Sequence, residues 1–175
     1  MKKINVIGTS GSGKTTFAKK LAQQLGYPYI EMDSIFWGKN WYWPSDEEFF
    51  NNLECRLKLD KWVLDGNYSR STPIKWKEVD TIIWIDYSFP RTLYQAITRA
   101  LNRSLTKKEL WPGTGNRESF GKLFSKDSIV LWTIKTYYKN KAKYRQLAAE
   151  EKYKHIEFIR LENPRECQRY LDQFC

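Results

Sequence analysis

The chain has 175 residues, 41% of them hydrophobic, and a formal net charge of +10. This length suffices for one compact core, so we expect a single domain over residues 1–175. No apolar run approaches the roughly 18 to 20 residues that span a bilayer, which excludes a membrane-spanning helix.

The first residues and the cysteines bear on location and metal content. The N-terminus is basic, but its apolar stretch is too short for a signal peptide, so we expect a cytoplasmic protein. Cys55, Cys167 and Cys175 form no CxxC pair, and His155 is the only histidine. The sequence therefore predicts no zinc site with nitrogen and sulfur ligands.

Strand and helix patterns alternate along the chain. Apolar runs predict five strands, at Lys3–Ile7, Tyr29–Asp33, Trp62–Asp65, Thr81–Asp86 and Ile156–Leu161. Helical spacing or capping signals predict helices that end at Gly26, start after Ser45 and Pro90, cover Val130–Ala149, and start at Asn163. This alternation favours an α/β fold with a five-stranded parallel sheet covered by helices on both faces.

A glycine-rich loop joins the first predicted strand to the first helix. Residues 8–15 read GTSGSGKT and match the phosphate-loop pattern GxxxxGK[ST]. The backbone N–H groups of such a loop and the helix N-terminus bind phosphate oxygens. We therefore expect ATP at Gly8, Thr9, Ser10, Gly11, Ser12, Gly13, Lys14, Thr15 and Thr16. Lys14 should reach the β- and γ-phosphates, and the Thr15 hydroxyl should coordinate Mg²⁺.

The rest of the chain favours a small-molecule kinase among the phosphate-loop proteins. The guanine-binding pattern [NT]KxD is absent, since the segment NKAK at residues 140–143 lacks the aspartate. The chain is also small for a motor. We therefore predict transfer of the γ-phosphoryl group of ATP to a small molecule.

Basic residues concentrate in residues 91–145, which hold thirteen Lys or Arg against three Asp or Glu. Arg99 and Arg103 lie four residues apart on one face of the helix that starts after Pro90. The following stretch contains proline and glycines, and we predict a small helical lid over about residues 104–121. Such a basic segment can hold ligand phosphates, bind nucleic acid, or be a solvated helix face.

Three motifs together resemble the adenylate-kinase-like superfamily of nucleoside-monophosphate, gluconate and shikimate kinases. They are the phosphate loop at residues 8–15, the run LDGNYSR at residues 64–70, and the pair Arg99 and Arg103. The segments GTSGSGKTT, MDSIFW and LDGNY are similar, more closely, to the adenylate-kinase-related proteins named for DNA topology modulation. The resemblance covers nearly the whole chain and implies ATP and Mg²⁺ as cofactors.

The resemblance also implies roles for carboxylates. The Asp of the LDG motif, Asp65, is implied to lie near the metal, and Asp86 competes for that role. A carboxylate at the carboxyl end of a parallel strand does point into the crevice where ligands bind. Asp33 is similar to the substrate carboxylate that orients or deprotonates the acceptor hydroxyl in shikimate- and gluconate-type kinases.

Further residues are implied to bind substrates. Arg70 is the nearest match to the arginine that holds the acceptor phosphate in nucleotide kinases, although its register is shifted by one and a proline is missing; Tyr68 lies in the same run. Arg99 is implied to pack on adenine and Arg103 to touch phosphates. Apart from the resemblance, the position of Arg117 beyond the glycines of the predicted lid would let it close over the γ-phosphate. Trp41 belongs to an aromatic loop within residues 34–59 that either lines an acceptor pocket or packs against the sheet.

Two alternatives stay open. The basic segment and the name of the topology-modulation group both suit a nucleic-acid-binding regulator. The protein could also bind ATP without retaining transfer activity. The sequence does not choose the acceptor among nucleosides, nucleotides and related metabolites.

Overall fold

A computed structural model of the chain describes residues 1–106, 108–117 and 128–174. Five parallel strands form one sheet in the order β2-β3-β1-β4-β5. The strands are β1 (Lys3–Gly8), β2 (Tyr29–Glu31), β3 (Trp62–Asp65), β4 (Thr81–Ile85) and β5 (Glu157–Leu161). The predicted fold class is confirmed.

Helices follow the strands as the alternation predicts. They are α1 (Lys14–Leu25), α2 (Met32–Phe36), α3 (Asp46–Leu57), α4 (Thr72–Lys75), α5 (Phe89–Thr106), α6 (Ile129–Ala149) and α7 (Pro164–Leu171). Short 3-10 turns lie at Lys39–Trp41, Ser69–Ser71, Glu151–Tyr153 and Asp172–Phe174. None of these described helices is long and apolar enough to cross a lipid bilayer.

Two hydrophobic layers cover the sheet, one on each face. On one face Ile7 and Leu64 pack with Phe49 of α3 and Tyr144 of α6. On the other face the neighbouring strand positions pack against α1 and α7, through Phe17, Leu21, Cys167 and Leu171 among others. Because both faces are covered, every residue of the inner strands β3 and β4 is buried.

Helix ends lie where their capping residues predict. The backbone N–H of Glu48 donates to Ser45 Oγ at 3.1 Å, and that of Glu166 donates to Asn163 Oδ1 at 3.0 Å. Gly26 closes α1 in the left-handed conformation, with φ of 64°. Local hydrogen bonding thus fixes these three boundaries.

The second strand is shorter than its sequence pattern predicts. We expected Tyr29–Asp33, but β2 ends at Glu31, and Met32 and Asp33 open helix α2. Met32 is fully buried in the core although it has left the strand. Met32 is at least as buried as the strand residues before it, so the hydrophobic pattern of the sequence did not mark the end of the strand.

The predicted lid, about residues 104–121, includes the end of α5 and the turns that follow it. Its first residues complete α5, which ends at Thr106. Residues 108–117 form turns closed by an isolated antiparallel bridge between Glu109 and Arg117. Residues 107 and 118–121 of the predicted lid lie outside the described residues.

Candidate active site

The phosphate loop connects β1 to α1 and rests against α5. The backbone N–H of Ser12 donates to the Thr9 carbonyl at 3.0 Å, which folds the loop back on itself. Gly11 has φ of 85°, and a Cβ there would lie 2.7 Å from the Thr92 carbonyl oxygen. Only glycine fits this position, because the loop backbone approaches α5 so closely.

A cavity of about 590 Å³ opens in front of the loop. Its lining includes Lys14 and Thr15 from the loop end and Arg99 and Arg103 from α5. Arg99 also donates from Nη2 to Ser10 Oγ at 2.8 Å. Gly11, Gly13 and Thr16 also line the cavity. The cavity therefore collects the cationic residues that the sequence assigned to nucleotide binding.

Asp65 lies at the carboxyl end of β3, with 3% of its surface exposed. Its Oδ2 accepts a hydrogen bond from the Tyr29 hydroxyl at 3.0 Å. Its Oδ1 is buried and has no hydrogen-bond partner among the described residues. A buried carboxylate oxygen without a partner is costly, and a cation or a metal-bound water would satisfy it. The site residues thus fit Mg²⁺, which keeps several waters and needs only one or two protein ligands.

Other acidic residues lie close to Asp65. Glu31 pairs with Asp65 in the register of β2 and β3. Burial, followed by the charges of Asp65, Glu31 and Asp33, raises the pKa of Tyr29 far above its ordinary value. Burial also raises the pKa of Glu31. The positive charge of Lys19, whose Nζ lies 3.9 Å from Glu31 Oε2, acts in the opposite direction. In the described ranges no three His, Cys, Asp or Glu side chains form a metal cluster.

Asp86 has a different environment from Asp65. Its carboxylate accepts from Arg160 Nε at 2.8 Å and lies 3.0 Å from Lys141 Nζ. Its side chain is 3% exposed, and two cations already compensate its charge. The competing metal candidate is therefore an ion-pair centre that joins β4, β5 and α6.

Asp33 lies in the first turn of α2, held by a neighbour from the loop after β3. Tyr68 donates its hydroxyl to Asp33 Oδ1 at 2.8 Å. Burial, then the charge of Asp33, raises the pKa of Tyr68 far above its ordinary value, so the hydroxyl remains a donor. The ring of Tyr68 packs on Phe36 and Phe49, which fixes the hydroxyl in place.

Arg70 contacts the predicted acceptor segment. Its Nη1 lies 2.5 Å from Asp46 Oδ1. Its guanidinium lies over the rings of Phe36, Trp43 and Phe49, at 5.2, 5.7 and 5.8 Å from their centroids. The side chain thereby ties the loop after β3 to residues 34–59. Its predicted contact with an acceptor phosphate remains a prediction.

Segment 108–117 is fastened to the aromatic loop that contains Trp41. The backbone N–H of Trp41 donates to Asn116 Oδ1 at 2.7 Å, and Asn116 Nδ2 donates to the Gly38 carbonyl at 3.0 Å. The ring of Trp41 packs edge-on to Trp111, with centroids 6.2 Å apart. Arg117 ends this segment, is exposed, and does not line the cavity in front of the phosphate loop. Its role and that of Trp41 stay predictions.

Sequence reasoning missed several residues of this region. Tyr29 and Glu31 could have been found, because the ends of neighbouring parallel strands meet at one edge of the sheet. Asn116, with no exposed surface, and Lys75, with 2%, gave no signal of burial, since polar residues in turns are ordinarily solvated.

In sequence, the chain is similar to known kinases. A family model described as "AAA domain" matches residues 4–84, which carry the phosphate loop and β1 to β4. A shikimate kinase of Persephonella marina is 28% identical over 142 residues, which cover 72% of this chain and 81% of that enzyme. A putative adenylate kinase of Pyrococcus abyssi is 36% identical over 78 residues, 41% of this chain and 43% of that protein.

Solved structures share the fold. A shikimate kinase from Acinetobacter baumannii, in complex with shikimate, superposes with a TM-score of 0.60 at 14% identity and covers 99% of this chain and 90% of its own. A gluconokinase from Sinorhizobium meliloti 1021 gives a TM-score of 0.52 at 16% identity, with coverages of 98% and 92%. The chain is therefore similar to P-loop kinases in sequence and shares their fold.

Proposed function

We propose that this chain is an ATP- and magnesium-dependent kinase that phosphorylates a hydroxyl group of a small metabolite. The observation that carries the proposal is the cavity where Lys14, Thr15, Arg99 and Arg103 converge in front of the phosphate loop. Relatives named shikimate kinase and probable gluconokinase support transfer to a hydroxyl group, and relatives named putative adenylate kinase and cytidylate kinase support phosphoryl transfer to a small molecule in general.

ATP would be bound by the loop and by α5. The loop N–H groups and the N-terminus of α1 would hold the phosphates, and Lys14 would reach the β- and γ-phosphates. Arg99 is half-buried, and its hydrogen bond to Ser10 orients the guanidinium. A guanidinium held in this way could stack on adenine or bind phosphate. Arg103 would neutralise charge that develops on the transferred group.

Mg²⁺ would be held by the Thr15 hydroxyl and, through water, by Asp65. When bound it would neutralise phosphate charge. The partnerless Oδ1 of Asp65 supports this assignment, and the two cations on Asp86 argue against the alternative. Tyr29 would keep the Asp65 carboxylate in position through its hydrogen bond.

The acceptor would lie beside Asp33 and Tyr68. The Asp33 carboxylate would accept the proton of the acceptor hydroxyl through Oδ2, while Tyr68 holds the carboxylate in place through Oδ1. The acceptor oxygen would form a bond to the γ-phosphorus as the bond from that phosphorus to its bridging oxygen breaks, releasing ADP.

An acceptor panel tests the proposal. Purified protein, ATP and Mg²⁺ are incubated with nucleosides, nucleotides and hydroxylated metabolites while ADP release is followed, with a Lys14→Ala variant as the control. We expect one acceptor class to accelerate ADP release, and Lys14→Ala to abolish the acceleration while remaining folded. Near-normal turnover in folded Lys14→Ala would refute the proposal.

The nucleic-acid-binding regulator suggested by the topology-modulation resemblance is an alternative outcome. Duplex binding that falls steeply with salt, with no acceptor in the panel, would favour it. No described contact favours that reading over nucleotide binding.

A further inference from the structure

The central strand of the sheet carries a polar side chain in its interior. Asn5 lies within β1, between β3 and β4, and has no exposed surface. Its neighbours across the sheet are Leu64 and Ile82. Burying an amide costs free energy that an apolar side chain would not cost, and the inner strands of a covered parallel sheet are ordinarily apolar. The fold alone therefore does not require an asparagine at this position.

The amide of Asn5 is hydrogen-bonded at both of its ends. Its Nδ2 donates to the carbonyl oxygens of Leu64 at 3.1 Å and Gly66 at 3.0 Å. Its Oδ1 accepts from the indole Nε1 of Trp76 at 2.8 Å. Trp76 is itself buried and packs edge-on to Tyr153, with ring centroids 4.9 Å apart. Because the indole can only donate, it fixes Oδ1 on its own side and directs Nδ2 to the two carbonyls.

These hydrogen bonds hold the backbone around Asp65. Leu64 directly precedes Asp65 and Gly66 directly follows it, so one side chain from β1 holds both neighbours of the aspartate. Gly66 has φ of 146°, and a Cβ there would lie 2.6 Å from Met32 Cβ. The chain therefore leaves β3 in a conformation that needs glycine, and the amide of Asn5 stabilises that turn.

The orientation of Asp65 matters for the metal proposed above. Tyr29 holds Oδ2, while Oδ1 is buried and has no hydrogen-bond partner among the described residues. Magnesium demands near-ideal octahedral geometry, so a shift of the backbone at Asp65 would misplace the oxygen that serves the metal. Removing a group that orients a metal-binding side chain typically lowers metal affinity by about 10- to 100-fold.

We propose that Asn5 is a positioning residue, whose amide holds Asp65 so that its carboxylate can serve a magnesium ion on the bound nucleotide. The inference rests on the proposed role of Asp65 in the kinase reaction. Asn5 is enclosed in the sheet and does not line the nucleotide cavity, so it acts only through its neighbours. Its replacement should therefore weaken the contribution of magnesium and leave metal-free nucleotide binding unchanged.

Nucleotide binding with and without magnesium tests this role. Calorimetry gives the Kd of a non-hydrolysable ATP analogue in excess magnesium and in EDTA, and the ratio of the two values is the magnesium gain. Asn5→Leu has a similar size and no donor, and Asn5→Thr suits a strand but can donate to only one carbonyl. Ile82→Ala, in the hydrophobic layer that contains Trp76, is the control for lost stability.

We expect magnesium to tighten binding to the wild type, and Asn5→Leu to lower the magnesium gain about tenfold with the Kd in EDTA unchanged. Ile82→Ala should keep the gain although it lowers the free energy of unfolding. Asp65→Asn should lose the gain, and adding Asn5→Leu to it should cause no further loss, because Asn5 acts through Asp65.

Four results would overturn the proposal. They are no magnesium gain in the wild type, an unchanged gain in Asn5→Leu, an equal loss in Ile82→Ala, and an additive loss in the variant that combines Asn5→Leu with Asp65→Asn. If Asn5→Leu does not fold, Asn5→Thr takes its place in each comparison.

The acceptor panel separates this proposal from the kinase proposal. If an acceptor is phosphorylated but Asn5→Leu keeps the magnesium gain, the positioning role is wrong and the kinase stands. If no acceptor is phosphorylated but the gain depends on Asn5 and Asp65 as expected, the positioning role stands and the kinase proposal is wrong.

Discussion

Two buried aspartates, at the carboxyl ends of β3 and β4, differ in what compensates their charge. Asp65 receives one hydroxyl donor and keeps a partnerless oxygen, whereas Asp86 is compensated by Arg160 and Lys141. We therefore expect Asp65→Asn to weaken the magnesium dependence of ATP turnover with little effect on stability. Asp86→Asn should instead lower the free energy of unfolding by about 1 to 3 kcal/mol, because it leaves two cations underpaired.

Magnesium titrations of turnover, with urea unfolding of both variants, measure these effects. If Asp86→Asn gave the larger shift in the magnesium midpoint, Asp86 would be the metal-proximal carboxylate instead.

Arg99 and Arg103 are the arginines that line the nucleotide cavity from α5. Replacing either with Ala should weaken ATP use by roughly 1.5 to 3 kcal/mol, the size of a lost charged hydrogen bond. Lys139→Ala, on an exposed position of α6, should change little. Steady-state kinetics at varied ATP concentration test this, and equal effects in all three variants would contradict a specific role for the pair.

Lys75 predicts a pH dependence of stability. Burial, and then the charge of Lys143, lowers the pKa of Lys75 from 10.5 to about 7 in the folded chain. Between these two values the unfolded chain binds more protons, so this lysine makes the free energy of unfolding rise with pH. Lys75→Met should be more stable than the wild type at pH 6 and should lose this rise.

Urea unfolding at pH 6, 7.5 and 9 measures the effect, with the exposed neighbour Lys77→Met as control. Parallel pH profiles for the wild type and Lys75→Met would show that Lys75 is not buried as described.

At the scale of elements, segment 108–117 and the loop at residues 37–43 form one unit. Asn116 joins them with two hydrogen bonds, and Asn40 and Trp41 carry left-handed backbones with φ of 54° and 61°. Asn116→Ala should loosen the loop, because the part-buried Trp41 N–H loses its acceptor and two strained residues lose a support. We expect faster amide hydrogen exchange over residues 37–43.

Hydrogen-exchange mass spectrometry of Asn116→Ala measures this loosening. Asn52→Ala, on an exposed position of α3, is the control. Unchanged exchange in Asn116→Ala would mean that the aromatic contacts between Trp41 and Trp111 hold the loop without Asn116.

For the whole molecule, the basic excess of residues 91–145 is partly used inside the fold. Arg99 and Arg103 line the nucleotide cavity, Lys141 pairs with Asp86, and Lys143 contacts Ser69. A basic surface built for nucleic acid would leave such residues exposed to phosphates along a duplex. This distribution favours nucleotide binding over duplex binding.

We therefore expect weak duplex DNA binding even in dilute salt. Fluorescence anisotropy with labelled duplex at low and moderate salt measures it. Tight, salt-sensitive binding that Arg99→Ala, Arg103→Ala, Lys139→Ala and Lys143→Ala all reduce equally, with ATP turnover intact, would favour the regulator instead.

The sequence by itself determined the fold class, the phosphate loop and several helix boundaries of this protein. These features depend on local rules: a strand, a glycine loop and a helix in succession, or a capping side chain three residues from its backbone donor. Neighbouring residues carry the whole signal, so one sequence suffices to find it.

Only the tertiary structure decided how the carboxylates and lysines are compensated. Asp65 and Asp86 both follow apolar strands, and the sequence could not choose between them. Asp86 is paired by Arg160, which lies 74 residues away along the chain. Likewise, the buried Asn116 is bonded to Gly38, which lies 78 residues away along the chain. Charge compensation and burial depend on such long-range neighbours, which the order of residues does not show until the chain is folded.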